Sequence, residues 1–243
     1  MNNVARVLKA DPAGRVTLEG VGPVPRPVDI DEAQTGFEAL KTLRIYRFAP
    51  PGVIHGHAEQ DEVFIVILSG EVDLQMRSEQ WARSDEHFSL SAPRLLDTAL
   101  CAAYLPPHAE YELTPRTAAD VAYVRALPLS ARSPALFASV ARRPRAGRAV
   151  LLDESSHAER LRLKLLQLDT DATVTDLFDD APLTGESLIH LRTEPSNAAR
   201  AQVPGRGWAG LESGDTLVVL PNERACIRLG AHARALALVV SAT

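Results

Sequence analysis

Short apolar runs recur along this chain, and clusters of proline, glycine and polar residues separate them. In the first half they lie at 43–48, 63–68, 71–76, 99–105, 111–114 and 121–126. Runs of this length bounded by turn residues are typical of β-strands. A succession of them predicts a β-sandwich or a β-barrel.

The pattern stops near Pro128 and then resumes. The later runs lie at 148–152, 161–168, 187–192, 215–220, 226–229 and 234–240. Two β-rich halves of similar length indicate an internal duplication. We therefore expect a first domain at 1–128, a basic, proline-containing linker at 129–147 and a second domain at 148–243.

Helical patterning is scarce and concerns two segments. Residues 133–141, "SPALFASVA", fit a short helix. Residues 155–168 fit either a strand or a helix, because Ser156 could cap a helix, Glu159 follows three residues later and leucines recur behind it. We favour the strand for the run at 161–168.

Composition narrows the function classes. The chain has 243 residues, a net charge of -5 and 46% apolar residues, which suits one large or two small globular domains. This charge gives no reason to expect nucleic acid as a partner. No apolar run approaches the ~18 residues of a membrane helix, no secretory signal is visible, and Cys101 and Cys226 do not make a disulfide framework. We expect a cytoplasmic protein.

One stretch suggests chemistry: "PPGVIHGHAEQDEVFIVILSGEV" at 50–72. On an extended strand His55 and His57 point to the same face. Glu62 follows a short polar turn that can return its carboxylate to the same place. Imidazole and carboxylate suit Zn, Fe, Mn, Ni or Cu, and three protein ligands leave positions for water or substrate. The alternative is a turn that contains two histidines by accident.

Taken together, residues 50–72 resemble the first motif of the cupin superfamily, whose fold is a small antiparallel β-barrel with a metal near its centre. The resemblance implies an all-β fold of two tandem cupin (jelly-roll) barrels. Two details differ from the family pattern. Seven residues separate Glu62 from Gly70 where six are usual, which predicts a β-bulge. Gly52 also lies closer to the first histidine than usual.

The second cupin motif is a proline-rich turn that ends in a fourth ligand, and "YLPPHAEYELTP" at 104–115 resembles it. Alignment on the proline pair places Tyr111 where the ligand histidine belongs. His108 falls earlier in the turn, and His87 is a third candidate. The implied metal set is thus His55, His57 and Glu62, with Tyr111 or His108 as the fourth ligand.

In the second half, residues 207–229 again resemble the second motif and place Cys226 at the ligand position. Glu186 could match the motif glutamate, but the positions of the two histidines hold Ala181 and Asp179. We therefore expect no metal site in this half. His190, inside an apolar run, is expected to be a core or surface residue.

The first half also resembles the N-terminal half of the bicupin sugar-acid isomerases, the 5-deoxy-glucuronate isomerase and 5-keto-4-deoxyuronate isomerase group. The features that carry this resemblance are "GFE", "LSG" and "LPP". Members of that group hold their His-x-His site in the C-terminal barrel, whereas here the motif lies in the first half. The resemblance therefore supports two barrels better than it supports the reaction.

Three functions remain open. A metal-dependent isomerase would use Glu62, if it is not a metal ligand, or Glu110 or Tyr111 as the base that moves a proton between carbons. An Fe-dependent dioxygenase would use the open metal positions for O2 and substrate. A non-catalytic bicupin would bind or sense a ligand. Each implies a small-molecule partner, and we expect a homodimer formed through strand edges.

Overall fold

The computed structural model describes residues 7–77, 86–92, 99–129, 135–138, 148–154, 158–169, 175–177, 185–203 and 207–243. All structural statements below concern these ranges. None of their helices has the length and apolar character needed to cross a bilayer.

The first half is built almost entirely of strands. They are β1 (Val7–Leu8), β2 (Arg15–Leu18), β3 (Gly22–Pro25), β4 (Val28–Asp31), β5 (Leu40–Phe48), β6 (Ile54–His57), β7 (Glu62–Ser69), β8 (Glu71–Arg77), β9 (Glu86–Ser91), β10 (Leu100–Leu105), β11 (Glu110–Pro115) and β12 (Ala119–Ala126).

The second half repeats this character. Its strands are β13 (Ala135–Ala138), β14 (Arg148–Glu154), β15 (Leu161–Asp169), β16 (Thr175–Leu177), β17 (Glu186–Glu194), β18 (Ala199–Val203), β19 (Gly207–Leu211), β20 (Thr216–Val219), β21 (Cys226–Leu229) and β22 (Arg234–Ala242).

A single helical turn, α1 (Glu32–Thr35), occurs in the described chain. Asp31 and Gln34 form a capping box, in which each side chain accepts a hydrogen bond from the other residue's backbone N–H. Gly36 ends the turn in the left-handed conformation, at φ 71°. Local capping residues thus explain a helix that the periodicity does not predict.

The strands form two pairs of sheets with the same order in each half. The large sheets are β13-β10-β7-β12-β5-β4 and β1-β20-β17-β22-β15-β14, the small ones β6-β11-β8-β9 and β16-β21-β18-β19, and β2-β3 is a separate hairpin. The fold is therefore all-β, as predicted. Within the described ranges each pair of sheets forms a jelly-roll sandwich that does not close, which agrees with the expected jelly-roll fold.

Each large sheet takes an edge strand from outside its own half. β1 pairs with β20 of the second half, through Val7 opposite Leu217. β13, from the predicted linker, pairs with β10 of the first half. Thus β1 joins the large sheet of the second half, and β13 adds residues of the predicted linker to the large sheet of the first half.

Alternation along the strands divides the buried residues into three cores. On β5, Tyr46 and Phe48 face the small sheet and contribute to the first inner core, between the sheets of the first half. Leu43 and Ile45 face the opposite way, into an interface core that also contains residues of the second half such as Leu163. A second inner core lies between the sheets of the second half. The large sheets therefore pack against each other, face to face.

The structure tests three local predictions. The run at 161–168 is a strand, as favoured. The predicted helix at 133–141 is wrong, because residues 135–138 form β13. The predicted bulge is confirmed: Asp120 lies opposite Ser69 and Val121 opposite Ile67, so that Leu68 is the extra residue.

Candidate functional site

His55 and His57 lie on β6, the edge strand of the small sheet of the first half. Ile54 lies opposite Leu113 of β11, and both side chains belong to the first inner core. Because side chains alternate between the faces of a strand, His55 and His57 project from the outer face. Both are exposed. The Nδ1 atom of His55 lies 3.6 Å from the carboxylate of Glu112, its cross-strand neighbour.

Glu62 opens β7 and points the other way, into the interface between the halves. Its side chain is fully buried. The two carboxylate oxygens accept hydrogen bonds from the backbone N–H groups of Glu159, at 3.0 Å, and Leu161, at 3.2 Å. Glu62 thus joins the two halves, and the structure does not bring it together with His55 and His57.

The other candidate ligands are also separated. His108 is exposed in its turn, with φ 65°, and His87 is exposed on β9. Glu110, a candidate base, is exposed on β11, opposite His57. Tyr111 alone turns inward, to the first inner core. Across the described ranges, no group of three or more His, Cys, Asp or Glu side chains is placed to hold one metal ion.

The bulge explains the orientation of Glu62. With the usual six residues before Gly70, the position of the motif glutamate falls on Val63 rather than Glu62. The inward-facing residues are Gly56, Ala58 and Val63, with Tyr111 opposite Gly56. A shift of one residue exchanges the two faces of a strand. These four residues offer one phenol oxygen as a donor, so the metal that the cupin motif implies does not fit here.

An aromatic cluster occupies the inner space instead. The phenol ring of Tyr111 lies over Gly56, so closely that a Cβ atom on Gly56 would clash with the phenol oxygen. The ring centroid of Tyr123 lies 5.8 Å from that of Tyr111 and 5.4 Å from that of Tyr46. These spacings are those of favourable aromatic pairs. The close approach of the backbone to a ring explains why position 56 is glycine.

The cluster borders a cavity of about 130 Å³, which we call the tyrosine cavity. Its lining comes from β2, β5, β6, β7, β11 and β12, and includes Thr42, Arg44, Tyr46, His55, His57, Tyr111, Tyr123 and Arg125. The buried hydroxyl oxygens of Thr42 and Tyr123 have no hydrogen-bond partner within the described chain. Buried hydroxyl groups are normally paired, so a ligand that reached these two oxygens would supply a missing partner.

The tyrosine hydroxyls are neutral at physiological pH. Burial raises the pKa of Tyr111 to about 12. Burial, together with the neighbouring Tyr111 hydroxyl, raises the pKa of Tyr123 well above its usual value. Both groups therefore keep their protons and act as hydrogen-bond donors or acceptors rather than as ready bases.

The two arginines that line the cavity already have acidic partners. Arg44 donates to Asp29 at 2.9 Å. Arg125 pairs with Glu59 at 3.0 Å and with Asp61 at 3.1 Å. Asp29 also pairs with Arg26, at 2.6 Å. Three cations and three anions therefore surround the cavity, which favours an uncharged polar ligand group there.

In the second half, the structure describes Cys226 and Glu186 among the positions compared with the motif. Cys226 begins β21, and Ala181 and Asp179 lie outside the described residues. His190 is buried, with Nδ1 at 3.2 Å from the Thr216 hydroxyl oxygen. Glu186 accepts hydrogen bonds from backbone N–H groups of the first half.

Comparison with known proteins supports the fold. No family model matches the chain, and no curated protein matches it. An IolB-like protein from Salmonella typhimurium has a TM-score of 0.72 and 15% identity, with 98% of this chain and 93% of that chain covered. A point mutant of oxalate decarboxylase from Bacillus subtilis has a TM-score of 0.73 and 11% identity, with 99% of this chain and 78% of that chain covered.

A third solved structure, of a protein named as glyoxylate-induced from Pseudomonas aeruginosa, has a TM-score of 0.67 and 13% identity, with 94% of this chain and 84% of that chain covered. These proteins share cupin-type folds. The chain has an all-β cupin fold. At such identities the likeness concerns the fold, and the site has to be understood from this chain's own residues.

Sequence reasoning missed Thr42, Tyr46 and Tyr123. A signal for the first two was present in "TLRIY" at 42–46, where a polar or aromatic residue alternates with an aliphatic one. Such alternation marks a strand whose two faces meet different surroundings. It would have indicated a polar aromatic surface inside the first half.

Proposed function

We propose that the first half binds a small polar organic molecule in the tyrosine cavity, without the metal that the motif implies. Among the three functions considered, this is the non-catalytic ligand-binding or sensing bicupin. The observation that carries the proposal is the pair of buried hydroxyls, on Thr42 and Tyr123, that border the cavity without a partner in the described chain.

Cavity size limits the ligand. A dry protein cavity of about 150 Å³ holds one benzene molecule, and the tyrosine cavity measures about 130 Å³. It accommodates a molecule, or the end of a molecule, of about six heavy atoms. A complete sugar acid is larger, so part of it would extend past the exposed His55 and His57.

The lining determines the chemistry of the ligand. Aromatic rings stack against carbon frameworks, while Thr42 and Tyr123 offer neutral hydrogen bonds. Arg44 shares Asp29 with Arg26, and Arg125 pairs with both Glu59 and Asp61, so three cations and three anions surround the cavity. A hydroxyl or carbonyl group is therefore favoured over a free carboxylate at the inner end of the cavity.

Two probes of equal size test this preference: neutral dihydroxyacetone and anionic lactate. Saturation-transfer NMR and calorimetry on the full chain should show tighter binding of dihydroxyacetone. Tyr123→Phe and Thr42→Val should each weaken it about three- to tenfold, the effect of one neutral hydrogen bond. Tyr104→Phe, a buried tyrosine of the interface core, is the matched control and should bind as the wild type does. Failure of dihydroxyacetone to bind, or equal affinity in all variants, would refute the proposal.

The likeness of the whole chain to an IolB-like protein supports a second candidate, a sugar-acid isomerase that uses a divalent metal. It requires stoichiometric metal that is lost in the double variant His55→Ala, His57→Ala. Our placement of both histidines on the outer face predicts the same metal content in wild type and variant, as measured by elemental analysis. Oxygen consumption with added Fe(II) would identify the third candidate, a dioxygenase.

A further inference from the structure

A second cavity, of about 290 Å³, lies between the two halves, and we call it the inter-half cavity. Both halves contribute to it. The lining residues are Ala10, Pro12, Pro25, Pro27, Val28, Ile45, Arg47 and Asp120 from the first half, and His190, Arg192, Ser213 and Gly214 from the second. None of them belongs to the tyrosine cavity.

Charge inside the inter-half cavity is unbalanced. Arg47 and Arg192 share one carboxylate, that of Asp120: the Arg47 Nε–H donates to one oxygen at 3.0 Å, and Arg192 donates to the other. Burial of Asp120 raises its pKa, but the two guanidinium groups outweigh this effect and lower it. Two cations and one anion leave one net positive charge.

His190 adds a neutral polar group. Its Nδ1 atom lies 3.2 Å from the Thr216 hydroxyl oxygen, while its Nε2 atom is buried and has no hydrogen-bond partner in the described ranges. A buried polar atom without a partner costs about 1–3 kcal/mol. A bound group that hydrogen-bonds to Nε2 would remove this cost.

Much of the remaining lining is apolar. It includes three prolines of the N-terminal segment, together with Val28 and Ile45, which lie beside Arg47 on the same face of the large sheet. A ligand that matched the whole cavity would therefore carry an anionic end toward the arginines and an apolar body toward the prolines. The volume lies at the lower end of the range of about 300–1,000 Å³ seen for ligand pockets, so the ligand is small.

We propose that the inter-half cavity binds a small organic carboxylate with an apolar body. The carboxylate pairs with the free N–H groups of Arg47 and Arg192, since a guanidinium offers five donors and each uses one on Asp120. The proton on His190 lies on Nε2 and points to the carboxylate, while Nδ1 accepts from the Thr216 hydroxyl. Such a ligand would bridge the halves and stabilise their packing.

Benzoate and its neutral isostere benzamide are the probes. Calorimetry on the full chain should give at least tenfold tighter binding of benzoate. Long-range ¹H–¹⁵N spectra of the imidazole groups, with the His190 signal assigned by its loss in His190→Gln, should show that signal shift with benzoate. Arg47→Gln should weaken benzoate at least tenfold. The Arg47 side chain is 60% exposed, so this variant should fold even if Arg192→Gln does not.

Arg44→Gln is the matched control, because Arg44 lies on the same strand, faces the tyrosine cavity and pairs with exposed Asp29. It should leave benzoate affinity unchanged. Equal binding of benzamide, unchanged affinity in Arg47→Gln, or a loss in Arg44→Gln would each overturn the proposal. The tests of the tyrosine cavity use other probes and variants, so either proposal can fail alone.

Discussion

Glu62 and Glu186 occupy equivalent positions in the two halves, and each carboxylate binds the backbone of the other half. Each opens the third strand of its large sheet, β7 or β17. The backbone donors are Glu159 and Leu161 for Glu62, and Glu38, Ala39 and Leu40 for Glu186. These backbone donors lie at or just before β15 and β5. Each half therefore binds the motif glutamate of the other half in the same way. The motif glutamate therefore has a structural role that its match in the second half shares.

Glu62→Gln tests that role. The amide keeps the size of the side chain but replaces one acceptor oxygen by an NH2 group that faces a backbone donor. Hydrogen bonds to a charged group contribute about 1.5–3 kcal/mol, so we expect a loss of about 2–3 kcal/mol in the free energy of unfolding. Urea denaturation followed by circular dichroism measures it.

Glu110→Gln is the control for this substitution, since Glu110 is exposed and should change stability by no more than about 0.5 kcal/mol. Glu186→Gln should destabilise as Glu62→Gln does. If Glu62→Gln unfolds at the same urea concentration as the wild type, the carboxylate does not hold the halves together.

The positions of most strands follow from local sequence. The run at 63–68 is rich in β-branched and aromatic residues, and the structure places β7 there with both faces buried. The count of residues between Glu62 and Gly70, compared with the cupin pattern, predicts a bulge, and the structure places it at Leu68. Neither prediction needs knowledge of the strands that pair with this segment.

The faces of the site could not be predicted in the same way. The bulge turns Val63 toward the first inner core and Glu62 toward the interface between the halves. The resemblance to the motif concerns residue types, and these do not reveal which face a side chain lies on. The four residues of β6, "IHGH", are too few to show which face is buried. That is decided by pairing with β11, a distant segment of the chain. The strand exchange also escaped prediction, because β1 has only two residues.

The close contact between Gly56 and Tyr111 gives a second test. Gly56→Ala places a methyl group where the phenol ring lies, and overpacking of this kind costs about 1–3 kcal/mol. Truncation of the ring in Tyr111→Ala frees the space. In a double-mutant cycle the combined variant should therefore lose less stability than the sum of the single variants, with a coupling of about 0.5–3 kcal/mol.

Gly210→Ala is the control for the glycine substitution, because Gly210 lies in β19 and nothing in the described chain approaches its Cβ position within 4 Å. It should combine additively with Tyr111→Ala. Additive losses for Gly56→Ala and Tyr111→Ala would mean that the ring does not lie over Gly56, and would weaken the account of the tyrosine cavity.

His190 makes the stability of the protein depend on pH. Burial, and secondarily the charge of Arg192, lowers its pKa to about 3, with Asp120 acting in the opposite direction. In the unfolded chain an imidazole titrates near a pKa of about 6.5. The unfolded state therefore binds a proton more readily, so this contribution is fully present above about pH 6.5 and is lost as the pH falls toward 3.

Relative to His190→Gln, the wild type should lose up to about 1.4 kcal/mol of unfolding free energy per pH unit within that window. Urea denaturation of both proteins at a series of pH values measures this loss. The carboxylates contribute equally to both proteins, so their contributions cancel in the difference between the two unfolding free energies. Thr216→Val removes the hydroxyl that His190 contacts but leaves the imidazole buried, so it should keep the wild-type slope. Parallel curves for the wild type and His190→Gln between about pH 4 and 6.5 would show that the imidazole is not held neutral between the halves.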